Sequence, residues 1–204
     1  MTPLKNHRLN PFISIWFSPR ATFRELKEKE QLPLLIAFAI ASGAISAFTL
    51  LWLVWVKHPE KVLFKNIWIM ALFALGGAVY GILYLYIGAW LYKVTGRWLK
   101  GKGEFREVRL ALGWSFYPAI VGGILYLIAI ILSQHIFLQF TFMLLSTIVG
   151  IWGFVLFLYL LSVAHEFSIP RAIVAVILAA LLVIAFFFLL SLLFSLPLFW
   201  NKPI

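Results

Sequence analysis

Five long stretches of the sequence contain no Asp, Glu, Lys, Arg or His, and this feature constrains the fold most. Each is 24 to 27 residues long, and they cover residues 32–56, 66–92, 110–133, 136–161 and 172–196. About 20 apolar residues are enough for a helix to cross the roughly 30 Å hydrocarbon core of a bilayer. The sequence therefore predicts an all-α, multi-pass membrane protein with a five-helix transmembrane bundle in residues 32–204.

The overall composition agrees with this interpretation. Of the 204 residues, 64% are hydrophobic and 12% charged, which excludes an ordinary water-soluble domain. The net charge of +10 does not require nucleic acid, because Lys and Arg collect in the cytoplasmic loops of membrane proteins. The first stretch is too long for the core of a secretory signal, so we expect a retained helix.

The distribution of cations predicts the orientation. Thirteen of the 17 Lys and Arg residues lie in residues 1–31, in residues 93–109 and at Arg171, which fall on one side of the predicted membrane. The other four fall on the opposite side. The positive-inside rule therefore predicts a cytoplasmic amino terminus and a carboxyl terminus outside.

Residues 1–31 are expected to form a cytoplasmic, basic segment containing an amphipathic surface helix. Ser18 and Pro19 supply a helix cap and a first helical position. Phe23 and Leu26 give an apolar stripe beside a basic stripe that can face acidic lipid headgroups. The basic stripe consists of Arg20, Arg24 and Lys27. A membrane-resting helix is the favoured interpretation, and a docking site for a partner protein is the alternative.

A second basic segment covers residues 93–109. Its three glycines, Gly96, Gly101 and Gly103, are interpreted as flexible turns. The segment does not match a phosphate-binding P-loop. Two interpretations are open: the segment binds phosphate-bearing lipids, or its charges only set the orientation of the chain in the membrane. The candidate ligand-binding cations in it are Arg97, Lys100, Lys102, Arg106 and Arg109.

Small residues and one proline are expected to shape the bundle. Gly77 and Gly81 have the G-x-x-x-G spacing that lets transmembrane helices approach closely, either within the bundle or between two copies of the chain. Pro118 follows Tyr117 inside the third stretch and is expected to kink or break that helix. Residues 104–116 are then expected to form a separate helix at the membrane surface.

The sequence offers no constellation for catalysis. His165 and Glu166 begin an H-E-x-x-H pattern, but residue 169 is Ile rather than the second His. The five stretches contain none of the ionisable groups on which ion-coupled transporters and intramembrane hydrolases depend. We therefore predict a non-enzymatic protein with no metal site and no cofactor.

Two sequence motifs resemble the YIP-domain family of Ypt- and Rab-interacting membrane proteins. The first is Phe-Ser-Pro-Arg-Ala-Thr-Phe-Arg-Glu-Leu at residues 17–26. The second combines Gly-Lys-Gly-Glu-Phe-Arg at residues 101–106 with Leu-Gly-Trp-Ser-Phe-Tyr-Pro at residues 112–118. The resemblance implies a five-helix bundle with a cytoplasmic amino terminus, and its eukaryotic members are non-enzymatic organisers of vesicle traffic thought to engage prenylated GTPases.

This chain differs from the eukaryotic members because it has only a short region before the first span. The resemblance is therefore to a short, bacterial-type member in the inner membrane, for which GTPase binding is not expected. The resulting hypothesis is a membrane organiser or adaptor that binds anionic lipid or a partner protein at its cytoplasmic face. A lipid or polyprenyl-type carrier is the alternative, a homo-oligomer is possible, and no nucleic acid is expected.

Overall fold

The computed structural model describes residues 10–29, 31–57 and 67–200, and this part of the chain contains seven α-helices and no β-strand. The helices are α1 (Pro11–Phe17), α2 (Pro19–Lys27), α3 (Leu32–Lys57), α4 (Ile67–Trp98), α5 (Phe105–Ile131), α6 (Ile136–His165) and α7 (Ile169–Trp200). The last five are long and apolar enough to cross a membrane. The prediction of an all-α bundle with five candidate spans is confirmed.

Several helices extend beyond the uncharged stretches. Helix α4 continues past Tyr92 to Trp98, and α5 begins at Phe105 instead of residue 110. The start of α5 is fixed by a capping box, in which the side chains of Glu104 and Glu107 each accept a hydrogen bond from the other residue's backbone N–H. A charged residue marks the end of an uncharged stretch in the sequence, but it does not end a helix. Both helices therefore continue into segments that contain charged residues.

Helices α1 and α2 and two interhelical connections meet at one end of the bundle. The connection between α4 and α5 contacts the connection between α6 and α7, because Lys102 Nζ lies 3.3 Å from Glu166 Oε2. Arg106 in turn donates a hydrogen bond to the carbonyl of Lys29. We call the end of the bundle that holds α1, α2 and these two connections the basic end. Since α3 begins here and successive helices alternate in direction, α7 ends at the opposite end.

Helices α3 and α4 approach each other closely at their glycines. A Cβ atom added to Gly81 would overlap the backbone carbonyl of Ala39, and one added to Gly77 would overlap the backbone of Gly43. In contrast, a Cβ on the neighbouring Gly76 would meet nothing. The G-x-x-x-G pair thus lies inside a contact between two helices of the same chain.

Helix α5 continues without interruption through Pro118. The expected break at Pro118, and the expected separate surface helix over residues 104–116, are therefore wrong. Residues 105–116 form the first half of α5, and Trp114 within it is fully buried. Close neighbours hold the helix together: a Cβ on Gly153 of α6 would lie 3.3 Å from Pro118 Cβ. Packing of this kind is how transmembrane helices tolerate an internal proline.

Helix α2 is amphipathic, but its apolar face packs on protein. It begins at Pro19 as predicted, although the Ser18 side chain makes no capping hydrogen bond. Phe23 and Leu26 are buried in the same core as Val108, and α2 contacts both α5 and α6. The expectation that this stripe rests on lipid is therefore wrong, because the end of the bundle already covers it.

An aromatic cluster attaches α1 to the bundle. The ring of Phe12 lies 5.5 Å from Tyr117 and 5.6 Å from Trp114, while the rings of Phe38 and Tyr117 stack at 5.8 Å. The Trp114 indole N–H donates to Gln31 Oε1 at 3.1 Å. These contacts fix the amino-terminal helices over the first turns of α3 and the middle of α5.

Candidate ligand-binding clefts at the basic end

Two clefts open at the basic end, one on each side of α2. The first, the α2–α5 cleft, has a volume of about 690 Å³ and lies between α2 and the starts of α3 and α5. The second, the α2–α6 cleft, has a volume of about 490 Å³ and lies between α2 and the connection from α6 to α7. Arg24 and Lys27 line both clefts, so α2 is their common wall.

Ion pairs neutralise part of the charge in the α2–α5 cleft. Lys27 Nζ lies 2.6 Å from Glu107 Oε1, which joins α2 to α5. Lys29 pairs with Glu25 one helical turn earlier, at 2.8 Å. These two lysines are therefore less available to an external anion than the arginines of the same cleft.

Arg109 occupies an unusual environment in the α2–α5 cleft. Its guanidinium carbon lies 5.3 Å from the ring centroid of Tyr86 in α4 and 5.3 Å from that of Phe105. Cation–π contacts of this kind hold the guanidinium plane in place. The Nε atom is buried and has no hydrogen-bond partner. Arg109 therefore presents a positioned charge that is only partly satisfied by the protein.

The α2–α6 cleft also has an excess of positive charge. Arg20, Arg24 and Lys27 line it, against the single carboxylate of Glu166, which pairs with Lys102. In the described part of the chain, neither Arg20 nor Arg24 has a carboxylate partner. The two arginines are exposed and free to meet an anion.

The remaining sequence-predicted cations are distributed unevenly. Arg106 lines the α2–α5 cleft, and Lys102 borders the α2–α6 cleft through its ion pair with Glu166. Arg97 and Lys100 are exposed and line neither of these two clefts. The structure thus brings most of the predicted cations together around α2 and leaves these two outside.

The three glycines of the second basic segment surround the ring of His165. A Cβ added to Gly96, Gly101 or Gly103 would clash with this imidazole. None of the described glycines has a positive φ, whereas Lys100 does, at 66°. Gly96 lies within α4, so its interpretation as a turn is wrong, whereas Gly101 and Gly103 lie in the connection between α4 and α5 as expected. All three positions are small because a side chain inserted from α6 fills the space.

Further contacts fix His165 in this position. The Gly103 N–H donates to its Nδ1 at 3.2 Å, the Lys102 N–H donates to its backbone carbonyl at 3.1 Å, and Phe167 stacks on the ring at 5.0 Å. The ring is almost completely buried. In the sequence, His165 stands out only as part of an incomplete H-E-x-x-H pattern, and no local pattern predicts its partners.

A separate groove runs along the membrane-spanning part of the bundle between α4 and α7. It has a volume of about 540 Å³ and an almost entirely apolar lining, which includes Tyr80, Tyr84, Ala179 and Phe187. The hydroxyl groups of Tyr84 and Tyr92 lie 3.3 Å apart. The apolar lining of this groove suits contact with a hydrocarbon chain.

The described residues do not form a metal centre. Within residues 10–29, 31–57 and 67–200, no three His, Asp or Glu side chains come together in a geometry that could hold a metal ion.

Comparison with known proteins gives a family match that agrees with the fold. The model of the Yip1 domain matches residues 13–192, which is most of the chain. No curated protein and no solved structure matches this chain significantly. Proteins of the Yip1 family are membrane-embedded, interact with partners and are generally non-catalytic. With five apolar helices of spanning length and a family match over most of its length, this chain is an integral membrane protein that belongs to the Yip1 domain family.

Proposed function

We propose that this chain is a non-enzymatic membrane organiser or adaptor whose basic end binds anionic lipid or an acidic surface of a partner protein. The observation that carries this proposal is the pair of clefts on either side of α2, in which Arg20, Arg24 and Arg109 have no carboxylate partner in the described structure. Arginine suits such a role because its planar fork of donors matches carboxylate and phosphate groups.

We further infer that the basic end faces the cytoplasm and that the protein resides in a bacterial inner membrane, with its carboxyl terminus outside. The concentration of Lys and Arg at the end holding α1 and α2 supports this orientation. The negative surface potential of a cytoplasmic leaflet would attract these cations, each contributing about 1 kcal/mol near the surface.

The proposal is tested by comparing two double variants that remove the same charge. Arg20→Ala with Arg24→Ala removes cations that line the clefts, whereas Arg97→Ala with Lys100→Ala removes cations outside them. Each protein is purified in mild detergent, and the bound lipids and proteins are identified by mass spectrometry. We expect the first variant to lose anionic lipid or partner and the second to retain them. Unchanged binding in the first variant would reject the proposal.

The α4–α7 groove supports a second candidate function, a lipid or polyprenyl-type carrier. A carrier needs an apolar path for the tail of its cargo, and this groove lies beside α4 within the spanning part of the bundle. Reconstituted vesicles would then show faster lipid translocation than empty vesicles. Ala180→Trp, which places a large side chain at an exposed position of the groove lining, should abolish that difference. A rate equal to that of empty vesicles for the unaltered protein rejects the carrier function.

A further inference from the structure

We propose that Arg109 forms the centre of a binding site for the phosphate group of an anionic phospholipid in the α2–α5 cleft. This inference rests on the proposed function and specifies the ligand and the residue of one of its two clefts. Four observations support it, and they concern the position of Arg109, its unsatisfied donor, the neighbouring charges and the apolar wall of the cleft.

The first observation is that the Arg109 guanidinium is held in a fixed position. The rings of Tyr86 and Phe105 come from two different helices and lie 6.4 Å apart, and the guanidinium carbon lies 5.3 Å from each. A free arginine loses side-chain entropy when it binds an anion. Arg109 has already lost much of this freedom in the folded protein, so binding costs it less.

The second observation is that the protein does not satisfy Arg109. Its Nε–H is buried without an acceptor, and the described structure gives its guanidinium no ion pair with Glu104 or Glu107, although both line the same cleft. Those carboxylates form the capping box at the start of α5, and Glu107 also pairs with Lys27. Because no carboxylate or hydrogen-bond acceptor of the described structure pairs with this guanidinium, a phosphate oxygen in the cleft can accept hydrogen bonds from it.

The third observation is that other arginines line the same cleft. Arg24 extends from α2 without a carboxylate partner in the described structure, and Arg106 makes one weak hydrogen bond to the Lys29 carbonyl at 3.4 Å. Three guanidinium groups therefore surround one cleft. A phosphate diester with a single negative charge can accept hydrogen bonds from several of them at once.

The fourth observation favours a lipid over a free anion or an acidic peptide. Leu32, Leu35 and Leu110 line the same cleft beside the arginines. Leu32 is the first residue of α3, so the cleft extends from the polar end of the bundle to the beginning of a membrane span. A ligand that has a phosphate at one end and hydrocarbon at the other fits this change of character.

The test measures binding of a short-chain, water-soluble phosphatidylglycerol to the full-length protein in detergent by isothermal titration calorimetry. Inorganic phosphate is titrated in parallel to distinguish a lipid headgroup from a free ion. Arg109→Gln is compared with Arg97→Gln, which removes the same charge from an exposed position outside the cleft. We expect Arg109→Gln to weaken lipid binding by about ten- to a hundredfold, the effect of losing a hydrogen bond to a charged group, and Arg97→Gln to change it by less than about twofold.

Two results would overturn the inference. Equal effects of Arg109→Gln and Arg97→Gln would show that net charge, not this site, binds the lipid. Phosphate binding as tight as lipid binding would exclude the lipid headgroup as the specific ligand. If Arg109→Gln is not monodisperse, Tyr86→Leu removes one of the positioning rings without changing the charge, and we expect the same direction of change.

The outcome is separable from that of the proposed function. If Arg20→Ala with Arg24→Ala abolishes binding of lipid or partner while Arg109→Gln leaves lipid binding intact, the proposed function stands and the phosphate site is rejected. If neither variant changes binding, both fail.

Discussion

The Nδ1 atom of His165 accepts a hydrogen bond from the backbone N–H of Gly103 at 3.2 Å, and this bond joins α6 to the connection between α4 and α5. Gly96 and Gly101 close around the same ring. Because the acceptor nitrogen carries no proton, the imidazole is neutral in this arrangement. His165 therefore links two connections at the basic end by shape and by hydrogen bonding rather than by charge.

Removing this ring is expected to destabilise the protein. His165→Ala leaves a cavity among three glycines and a buried Gly103 N–H without an acceptor, which costs about 1–3 kcal/mol for the unsatisfied donor alone. The measurement is the thermal unfolding midpoint in detergent, followed by tryptophan fluorescence. His135→Ala is the control, since His135 is exposed at the opposite end of the bundle. Equal midpoints for the two variants would contradict the role given to His165.

The contact between α3 and α4 gives a second prediction. Gly81→Ala places a methyl group against the Ala39 carbonyl, and the overpacking should cost about 1–3 kcal/mol. Gly76→Ala, in the same helix, meets nothing and should leave the unfolding midpoint unchanged or raise it slightly. If Gly76→Ala were as destabilising as Gly81→Ala, the contact with the Ala39 carbonyl would not be the cause of the loss of stability at Gly81.

The ion pair between Lys27 and Glu107 is expected to help attach α2 to α5. Both side chains are partly exposed, so solvent screens the pair and its contribution should be no more than about 1 kcal/mol. Lys27→Glu should lower the unfolding midpoint, and adding Glu107→Lys should restore it in part. High salt should reduce the difference between the single and double variants. A double variant no more stable than either single variant would show that the pair contributes nothing.

The proposed orientation can be tested with introduced thiols, because the sequence contains no cysteine. Lys100→Cys lies at the basic end and Gln134→Cys at the opposite end, and both positions are exposed. In intact cells of a bacterial expression host, a membrane-impermeant thiol reagent should label Gln134→Cys only. After lysis in detergent it should label both. The reverse pattern in intact cells would place the basic end outside.

The sequence predicts the number of spanning helices well because hydrocarbon allows so few alternatives. The length of an uncharged stretch decides whether it can cross the bilayer. A stretch that does cross forms a helix, because its backbone groups have no water to hydrogen-bond with in the hydrocarbon. The helical spacing of Phe23 and Leu26 on α2 likewise predicts that both side chains are buried. It does not show what covers them, since lipid and the packed ends of α5 and α6 favour the same apolar residues.

The details of the basic end depend on contacts between distant parts of the chain. His165 and Gly103 are 62 residues apart, so no local pattern relates the glycines to the ring they accommodate. The spacing of Phe105 and Arg109, four residues apart on one helix, is a usable signal for a ring–cation contact. The contribution of Tyr86 from α4 has no such signal. Pro118 does not break α5, because propensity rules describe an isolated helix, whereas α5 is supported by α6.

The position of α2 between the two clefts has a consequence for how many ligands the basic end can hold. Arg24 lines both clefts but has a single guanidinium group. This group cannot bind one anion in each cleft at the same time. An anion bound in one cleft therefore leaves the other cleft without the Arg24 donor. Two anions would compete for this arginine, so the second would bind more weakly than the first.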